Sequence, residues 1–193
     1  INADGSNEKQ LTQYGYNEEL VWSPDGIKIA YKSSPQSVLN SGETRPDCIN
    51  YHNIWVINSD GTKPFQVTDS EASRSVPSWS PDSNKIVFTE NEKIIVYDLV
   101  NKTKKTLATN AYYDKKLNQC SIGSNTGGSI VAWHPRDNTI LHFSPEFGND
   151  SKAQLFDAQD GKVIKTLDRF GAWSPDGARI AYTEHTDSAS AYI

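Results

Sequence analysis

Trp22-Ser23-Pro24-Asp25-Gly26, followed by Ile27-Lys28-Ile29-Ala30-Tyr31, decides the fold because it recurs. The pentapeptide returns as Trp79-Ser80-Pro81-Asp82-Ser83 and as Trp173-Ser174-Pro175-Asp176-Gly177, with a divergent copy at Trp133-His134-Pro135-Arg136-Asp137. After each copy comes an alternating apolar run: Lys85-Ile86-Val87-Phe88, Thr139-Ile140-Leu141-His142-Phe143 and Arg179-Ile180-Ala181-Tyr182. Alternation with period two marks a half-buried strand. Between Trp and strand, Pro fixes one dihedral and Gly tolerates positive φ, so each copy predicts a hairpin.

A second pair of strands completes each unit. Asn53-Ile54-Trp55-Val56-Ile57 leads through Asn58-Ser59-Asp60-Gly61 into Phe65-Gln66-Val67-Thr68; Ile94-Ile95-Val96-Tyr97-Asp98 precedes Lys105-Thr106-Leu107; Gln154-Leu155-Phe156-Asp157 turns at Asp160-Gly161 into Val163-Ile164-Lys165-Thr166-Leu167. Four antiparallel strands per repeat of roughly 40 residues or more are the signature of a propeller blade. The chain begins with Asn2-Ala3-Asp4-Gly5 and Lys9-Gln10-Leu11-Thr12, the second half of a blade, and ends at Ala191-Tyr192-Ile193, which reads into Asn2 as Trp55-Val56-Ile57 reads into Asn58. The expected architecture is therefore all-β: a β-propeller of four blades, each of four antiparallel strands, with one blade closed by both termini. Residues 1–193 then form a single domain. The same register admits a four-blade segment of a longer propeller or tandem array.

Composition narrows the function classes. The 193 residues carry 19 Lys+Arg against 24 Asp+Glu, a net charge of −5, so the positive footprint that nucleic acid requires is missing. Five Trp, nine Tyr and six Phe supply large side chains for a core, which argues against disorder. No apolar run approaches the ~20 residues of a membrane span. There is no Gly-x-Ser-x-Gly elbow, Gly-rich phosphate cradle or His-Glu-x-x-His helix, so the chain alone reads as non-catalytic. His52, His134, His142 and His185 lack zinc spacing, and the Asn2–Gly5 and Asn58–Gly61 motifs read as hairpin turns, not calcium-loop ends. No metal and no cofactor are expected.

Gln10-Leu11-Thr12, Trp22-Ser23-Pro24-Asp25-Gly26, Ile29-Ala30-Tyr31 and Ile54-Trp55-Val56-Ile57-Asn58 together resemble the TolB-type propeller repeat, over nearly the whole chain. That family includes periplasmic TolB, which binds protein partners, and the propeller domains of prolyl-oligopeptidase-like enzymes. TolB carries six blades and a further domain that has no counterpart in this sequence. The resemblance implies a fold, and fold alone is a weak warrant for function.

Two connections exceed the usual length, about Ser33 to His52 and about Thr109 to Gly128, and propeller topology puts both on one face. Long loops on a rigid scaffold suit binding. These two carry Arg45, Asp47, Tyr51, Tyr112, Tyr113 and Asp114, and shorter loops of the same face carry Tyr14, Tyr16, Glu18, Glu19, Asp69, Glu71 and Arg74. An acidic, aromatic rim of this kind would receive a basic peptide or a sugar. Solvated blade-linking loops would show the same composition. Cys48 and Cys120, one in each long loop, are the expected disulfide, which implies an oxidising compartment. Asn101 and Asn149 open Asn-x-Ser/Thr triplets that would accept glycan in a glycosylating secretory pathway. The repeat Trp22, Trp79, Trp133 and Trp173 are expected to fill the packing between blades.

The leading expectation is an extracytoplasmic interaction module, secreted, periplasmic or at the cell surface, whose loop face binds a protein or a surface glycan. One alternative is a structural unit of a tandem or fibrous extracellular assembly, self-associating by strand sharing through its termini. Another is the propeller domain of a prolyl-oligopeptidase-like hydrolase.

Overall fold

The repeated Ser and Asp of the pentapeptide are explained by the turn they build. In the computed structural model, Ser23 Oγ donates to Asp25 Oδ1 at 2.6 Å and accepts the Lys28 N–H at 2.9 Å. Asp25 Oδ1 also accepts the Ile27 N–H, and Gly26 takes φ 70°. Ser80 and Asp82 repeat this pattern, as do Ser174 and Asp176. The hydroxyl donated by each Ser is the main cause that holds Asp25, Asp82 and Asp176 below the usual carboxylate range. Each tail-biting loop of hydrogen bonds reverses the chain between the first and second strands of a blade.

The structure describes residues 1–13, 15–34, 52–70, 72, 74–91, 93–109, 130–143, 152–184 and 190–192. Among them, fifteen strands form four antiparallel sheets and there is no helix. The first blade contains β1 (Tyr16–Trp22), β2 (Lys28–Ser34), β3 (Asn53–Asn58) and β4 (Phe65–Gln66), in that order. The second has β5 (Ser78–Trp79), β6 (Lys85–Glu90), β7 (Lys93–Asp98) and β8 (Thr103–Thr109). The third has β9 (Ile130–Trp133), β10 (Thr139–Phe143), β11 (Ala153–Asp157) and β12 (Val163–Leu167). The fourth has three strands, β13 (Gly171–Trp173), β14 (Ile180–Glu184) and β15 (Ser190–Tyr192). Consecutive antiparallel neighbours in four repeated sheets make the fold a β-propeller, as the repeats predict.

Each blade has two apolar faces, set by alternation along its strands. In the second blade Ile86 and the Trp79 opposite it turn toward the first blade, where they join Ala30, Ile54 and Val56 in one core cluster. Val87, Ile94 and Val96 turn the other way and meet Trp133, Ile140 and Phe156 of the third blade. Trp79 and Trp133 are thus buried between blades, and the Trp79 indole N–H donates to Val21 O at 3.0 Å. Trp22 departs from this expectation and is 59% exposed. A repeat Trp packs on the blade before its own, and among the described residues no blade precedes the first. Trp173 is half-buried and stacks edge-on against His134 at 4.6 Å.

The closure expected from both termini is not formed among the described residues. β15 pairs with β14, and residues 1–13 contain no strand. Asn2–Ser6 nonetheless repeats the turn of Asn58–Thr62 bond for bond: Asp4 Oδ1 accepts from Ser6, Asp60 Oδ1 accepts from Thr62, and Gly5 and Gly61 both have φ 84°. Leu11 then packs on Ile29, Tyr31 and Ile57 of the first blade.

The divergent third copy keeps the turn by other means. His134 Nδ1 accepts the N–H groups of Arg136 and Asp137, and Nε2 donates to Gly177 O of the fourth blade at 3.0 Å. A Cβ at Gly177 would lie 2.3 Å from that imidazole, whereas one at Gly26 would meet nothing within 4 Å. Both glycines have positive φ. Gly26→Ala should therefore cost ~1–2 kcal/mol from backbone conformation alone, and Gly177→Ala clearly more, as read by urea unfolding of the two variants side by side.

His142 on β10 is 4% exposed and lies edge-on to Phe156. Burial pushes its imidazole down to about 4. The unfolded chain binds this proton below its ordinary 6.5 and the folded chain only near 4, so stability is full above pH 6.5 and falls as pH drops toward 4. Between pH 7 and 4.5 the loss from this group should be about 2–3 kcal/mol. Unfolding of the natural chain and of His142→Leu, followed over that range, should show the natural chain losing this amount of stability relative to the variant.

Candidate interaction face

All strand ends that flank 35–51, 110–129, 144–151 and 185–189 lie along one edge of the blades. On this edge β1 starts, β2 ends and β3 starts; Tyr16 pairs with Ser34, and Ser33 with Asn53. The same holds for Glu90, Lys93 and Thr109 in the second blade, and for Ile130, Phe143 and Ala153 in the third. The pentapeptide turns and Asp60-Gly61 occupy the opposite edge. The flanks of both long connections thus share a face, as propeller topology predicts.

The floor of this face is set by a bulge in β1. The register to β2 shifts between Glu18 and Val21, and Glu19 takes φ 52° there. The bulge brings both carboxylates to one amine: Lys32 Nζ lies 2.7 Å from Glu19 Oε2 and 3.7 Å from Glu18 Oε1. His52 Nδ1 is 3.4 Å from the same Glu18 oxygen, and the His52 ring lies 6.1 Å from that of Tyr16. Burial is the main influence on His52 and pulls it below the ordinary range, partly offset by Glu18. Its Nε2 is buried and has no hydrogen-bond partner among the described residues. Two acids with one lysine leave the lip net negative, and Tyr16 is 43% exposed beside it.

Arg74 holds this floor to the second blade. Its Nε and Nη2 donate to Glu90 Oε1 at 3.0 and 2.8 Å, Nη2 also donates to Ser70 Oγ, and Nη1 is shared among the carbonyls of Ser70, Ala72 and His52. All the guanidinium donors are engaged and the side chain is 0% exposed. Arg74, expected among the binding residues, is therefore corrected to a structural clamp that ties the loop before β5 to both blades. Its buried position follows from an isolated bridge between Arg74 and Glu90, which folds the loop back onto β6.

Of the other expected binding residues, the structure brings Tyr16, Glu18 and Glu19 together on the lip and leaves Asp69 exposed on the neighbouring loop. Tyr14, Arg45, Asp47, Tyr51, Glu71, Tyr112, Tyr113 and Asp114 lie outside the described residues, as do Cys48, Cys120 and Asn149. Asn101 is exposed in the turn before β8, on the opposite edge, where its amide donates to Asp98 Oδ2. Sequence reasoning missed Lys32 and the place of His52. The one available signal was the break in alternation at Glu18-Glu19, which marks the bulge. Among the described residues no group of three His, Cys, Asp or Glu side chains is arranged to hold a metal ion. No described helix is long and apolar enough to cross a membrane.

The fold defines a β-propeller of the kind found in TolB. Its overall path is similar to a putative TolB from Agrobacterium tumefaciens, with TM-score 0.60 at 18% identity, covering 95% of this chain and 61% of that one. It is also similar to an oligogalacturonate lyase in complex with manganese, with TM-score 0.53 at 14% identity, over 89% of this chain and 45% of that one. At such identities the likeness is one of fold. In sequence the chain is 26% identical over 194 residues to an uncharacterized protein of Agrobacterium fabrum, covering 96% of this chain and 46% of that protein. It is 32% identical over 74 residues to dipeptidyl-peptidase 5 of Porphyromonas gingivalis, 38% of this chain and 10% of the enzyme. The chain thus spans about half or less of these two relatives. No family model matches it.

Removing a buried arginine strands the acceptors it served. Because Glu90 keeps 20% exposure, Arg74→Met should destabilise the chain by ~2–3 kcal/mol, much of it from the orphaned carbonyls of Ser70, Ala72 and His52, and adding Glu90→Gln should recover part of that loss, both read by urea unfolding.

Proposed function

We propose that this propeller is a non-catalytic, extracytoplasmic interaction module that binds a protein or a surface glycan through the face bearing the two long connections. The observation that carries this reading is the lip of Tyr16, Glu18 and Glu19, in which Tyr16 and Glu19 are exposed and Glu18 half-buried, beside the flanks of the first connection, with the Arg74 clamp holding the backbone of His52 next to it. A rigid floor whose lip carries excess negative charge and an aromatic edge suits a basic segment of a protein partner, and the same aromatic edge suits a sugar. A Cys48–Cys120 disulfide would tie the two connections and place the chain in an oxidising compartment; the flanking strand ends share an edge, as such a bridge requires.

Binding to a panel of lysine- and arginine-rich peptides and to a glycan array, with intact mass before and after reduction, tests the proposal. The expected result is a ligand whose affinity falls at least ~10-fold in Glu18→Lys/Glu19→Lys and in a chain lacking Asn110 to Thr126, together with a gain of two hydrogens on reduction. Unchanged affinity in both variants, or no ligand in either panel, overturns the binding face; no mass change on reduction overturns the disulfide.

A second reading rests on the 74-residue match to dipeptidyl-peptidase 5. In it the propeller belongs to a prolyl-oligopeptidase-like hydrolase whose catalytic machinery lies outside these residues.

A further inference from the structure

Two basic side chains of the floor share one carboxylate of the lip. Glu18 Oε1 lies 3.7 Å from Lys32 Nζ and 3.4 Å from His52 Nδ1. Glu19, brought alongside by the bulge in β1, holds Lys32 Nζ much closer, at 2.7 Å. Lys32 therefore serves Glu19 first, and the carboxylate left least compensated is Glu18. Its side chain keeps 31% exposure, against 12% for Lys32 and 10% for His52. The charge of Glu18 is thus open to solvent, while the groups that answer it lie beneath.

His52 stands just before β3, its carbonyl held by Arg74 Nη1 at 3.3 Å, so its main chain is fixed. Among the described residues, the titratable and charged groups around its ring are Tyr16, Glu18 and Glu19 from β1, Lys32 from β2, and Arg74 from the loop before β5, which is itself answered by Glu90 of β6. Burial opposes a charged ring most, Glu18 favours it, Lys32 opposes it and Glu19 favours it, and the balance holds His52 below its ordinary range. The buried Nε2, without an acceptor among the described residues, opposes charge as well. At pH 7 the ring is therefore mostly uncharged, and it takes up a proton from solvent only below the ordinary 6.5.

We infer that acid discharges the lip: a proton taken up by His52 sets a second cation against Glu18, cancels the excess negative charge of the Glu18–Glu19 pair, and releases the basic segment that the face holds at neutral pH. The identity of that segment rests on the function proposed above, whereas the change of charge belongs to the chain alone. With the ring neutral, two carboxylates face one ammonium; with it charged, they face two cations and no excess remains. Proton and ligand seek the same carboxylate, so each weakens the other by the same factor.

Proton NMR of the chain without ligand, with the His52 ring signal assigned by its loss in His52→Gln, tests the switch. That signal should titrate below the ordinary histidine range, lower still in Glu18→Gln, which removes an attraction, and higher in Lys32→Met, which removes a repulsion. A fluorescent octalysine peptide should bind the natural chain ~3–5-fold more weakly at pH 5 than at pH 7, as loss of one exposed charge contact does, and His52→Gln with nearly the same affinity at both. A ring signal that neither variant moves overturns the inference, and so does octalysine binding whose pH dependence survives in His52→Gln. A ring that answers to both variants in a chain that binds octalysine at neither pH upholds the change of charge and removes the proposed ligand. Binding at pH 7 with an unresponsive ring does the reverse.

Discussion

The burial of an indole between blades is the constraint on which the rest depends. A single blade is a four-stranded sheet with apolar side chains on both faces, and alone it would leave half of its core in water. Trp79, paired with Ile86 and packed on Ala30, Ile54 and Val56, removes one such face; Trp133 and Ile140 remove the next. Because alternation along each strand fixes which pair points backward and which forward, a slip of one residue would exchange them and destroy both contacts. The pentapeptide turn sets that register, with the Ser hydroxyl and Asp carboxylate closing the reversal one residue after the Trp. Local turn chemistry and blade packing thus reinforce each other, which is the consistency expected of a well-specified fold.

The face that carries the flanks of the long connections is built on different physics. Its floor is held by the Arg74 guanidinium, taken out of water and paired with the partly buried Glu90, while the charge at its lip is only partly compensated, with Lys32 between two carboxylates. The inner pair supplies rigidity, and the outer group leaves charge open to solvent. Long connections are tolerated above such a floor because closing a longer loop adds little entropy cost, provided that its two anchor points do not move. Ser33 and Asn53, paired to each other through β2 and β3, are such anchors.

The propeller was legible in the sequence because its determinants are local. Trp, Ser, Pro, Asp and Gly within five residues specify a turn that needs no distant partner, and the strands after it announce themselves by alternation. Arg74 was not legible. An arginine between Ser73 and Ser75 in a loop reads as solvated, and only the return of that loop onto Glu90, sixteen residues later, buries it. The gathering of Glu18, Glu19, Lys32 and His52 depends on a bulge and on strand pairing across blade one, so residue types alone did not foretell it. The joining of both ends in one blade was read from their complementary patterns, and the pattern is real: Asn2–Ser6 reproduces the Asn58–Thr62 turn. The pairing itself was not legible, because a matching turn motif does not fix which strand its flanking residues join: residues 1–13 hold no strand, and β15 pairs with β14.

The joint between the third and fourth blades differs from that between the first and second in which partner lends its side chain. At the earlier joint Ser83 of the following blade offers its hydroxyl to the Asp25 N–H, while at the later one His134 of the preceding blade reaches over to Gly177 O. The two arrangements are mutually exclusive, since a side chain at 177 would occupy the space of the imidazole. The repeated blades are thereby not interchangeable at every joint. Duplicating the second blade into fourth place would set a serine against His134. Shuffling or permuting the repeats, as a route to new propellers, is consequently restricted at this joint by a single pair of positions, 134 and 177.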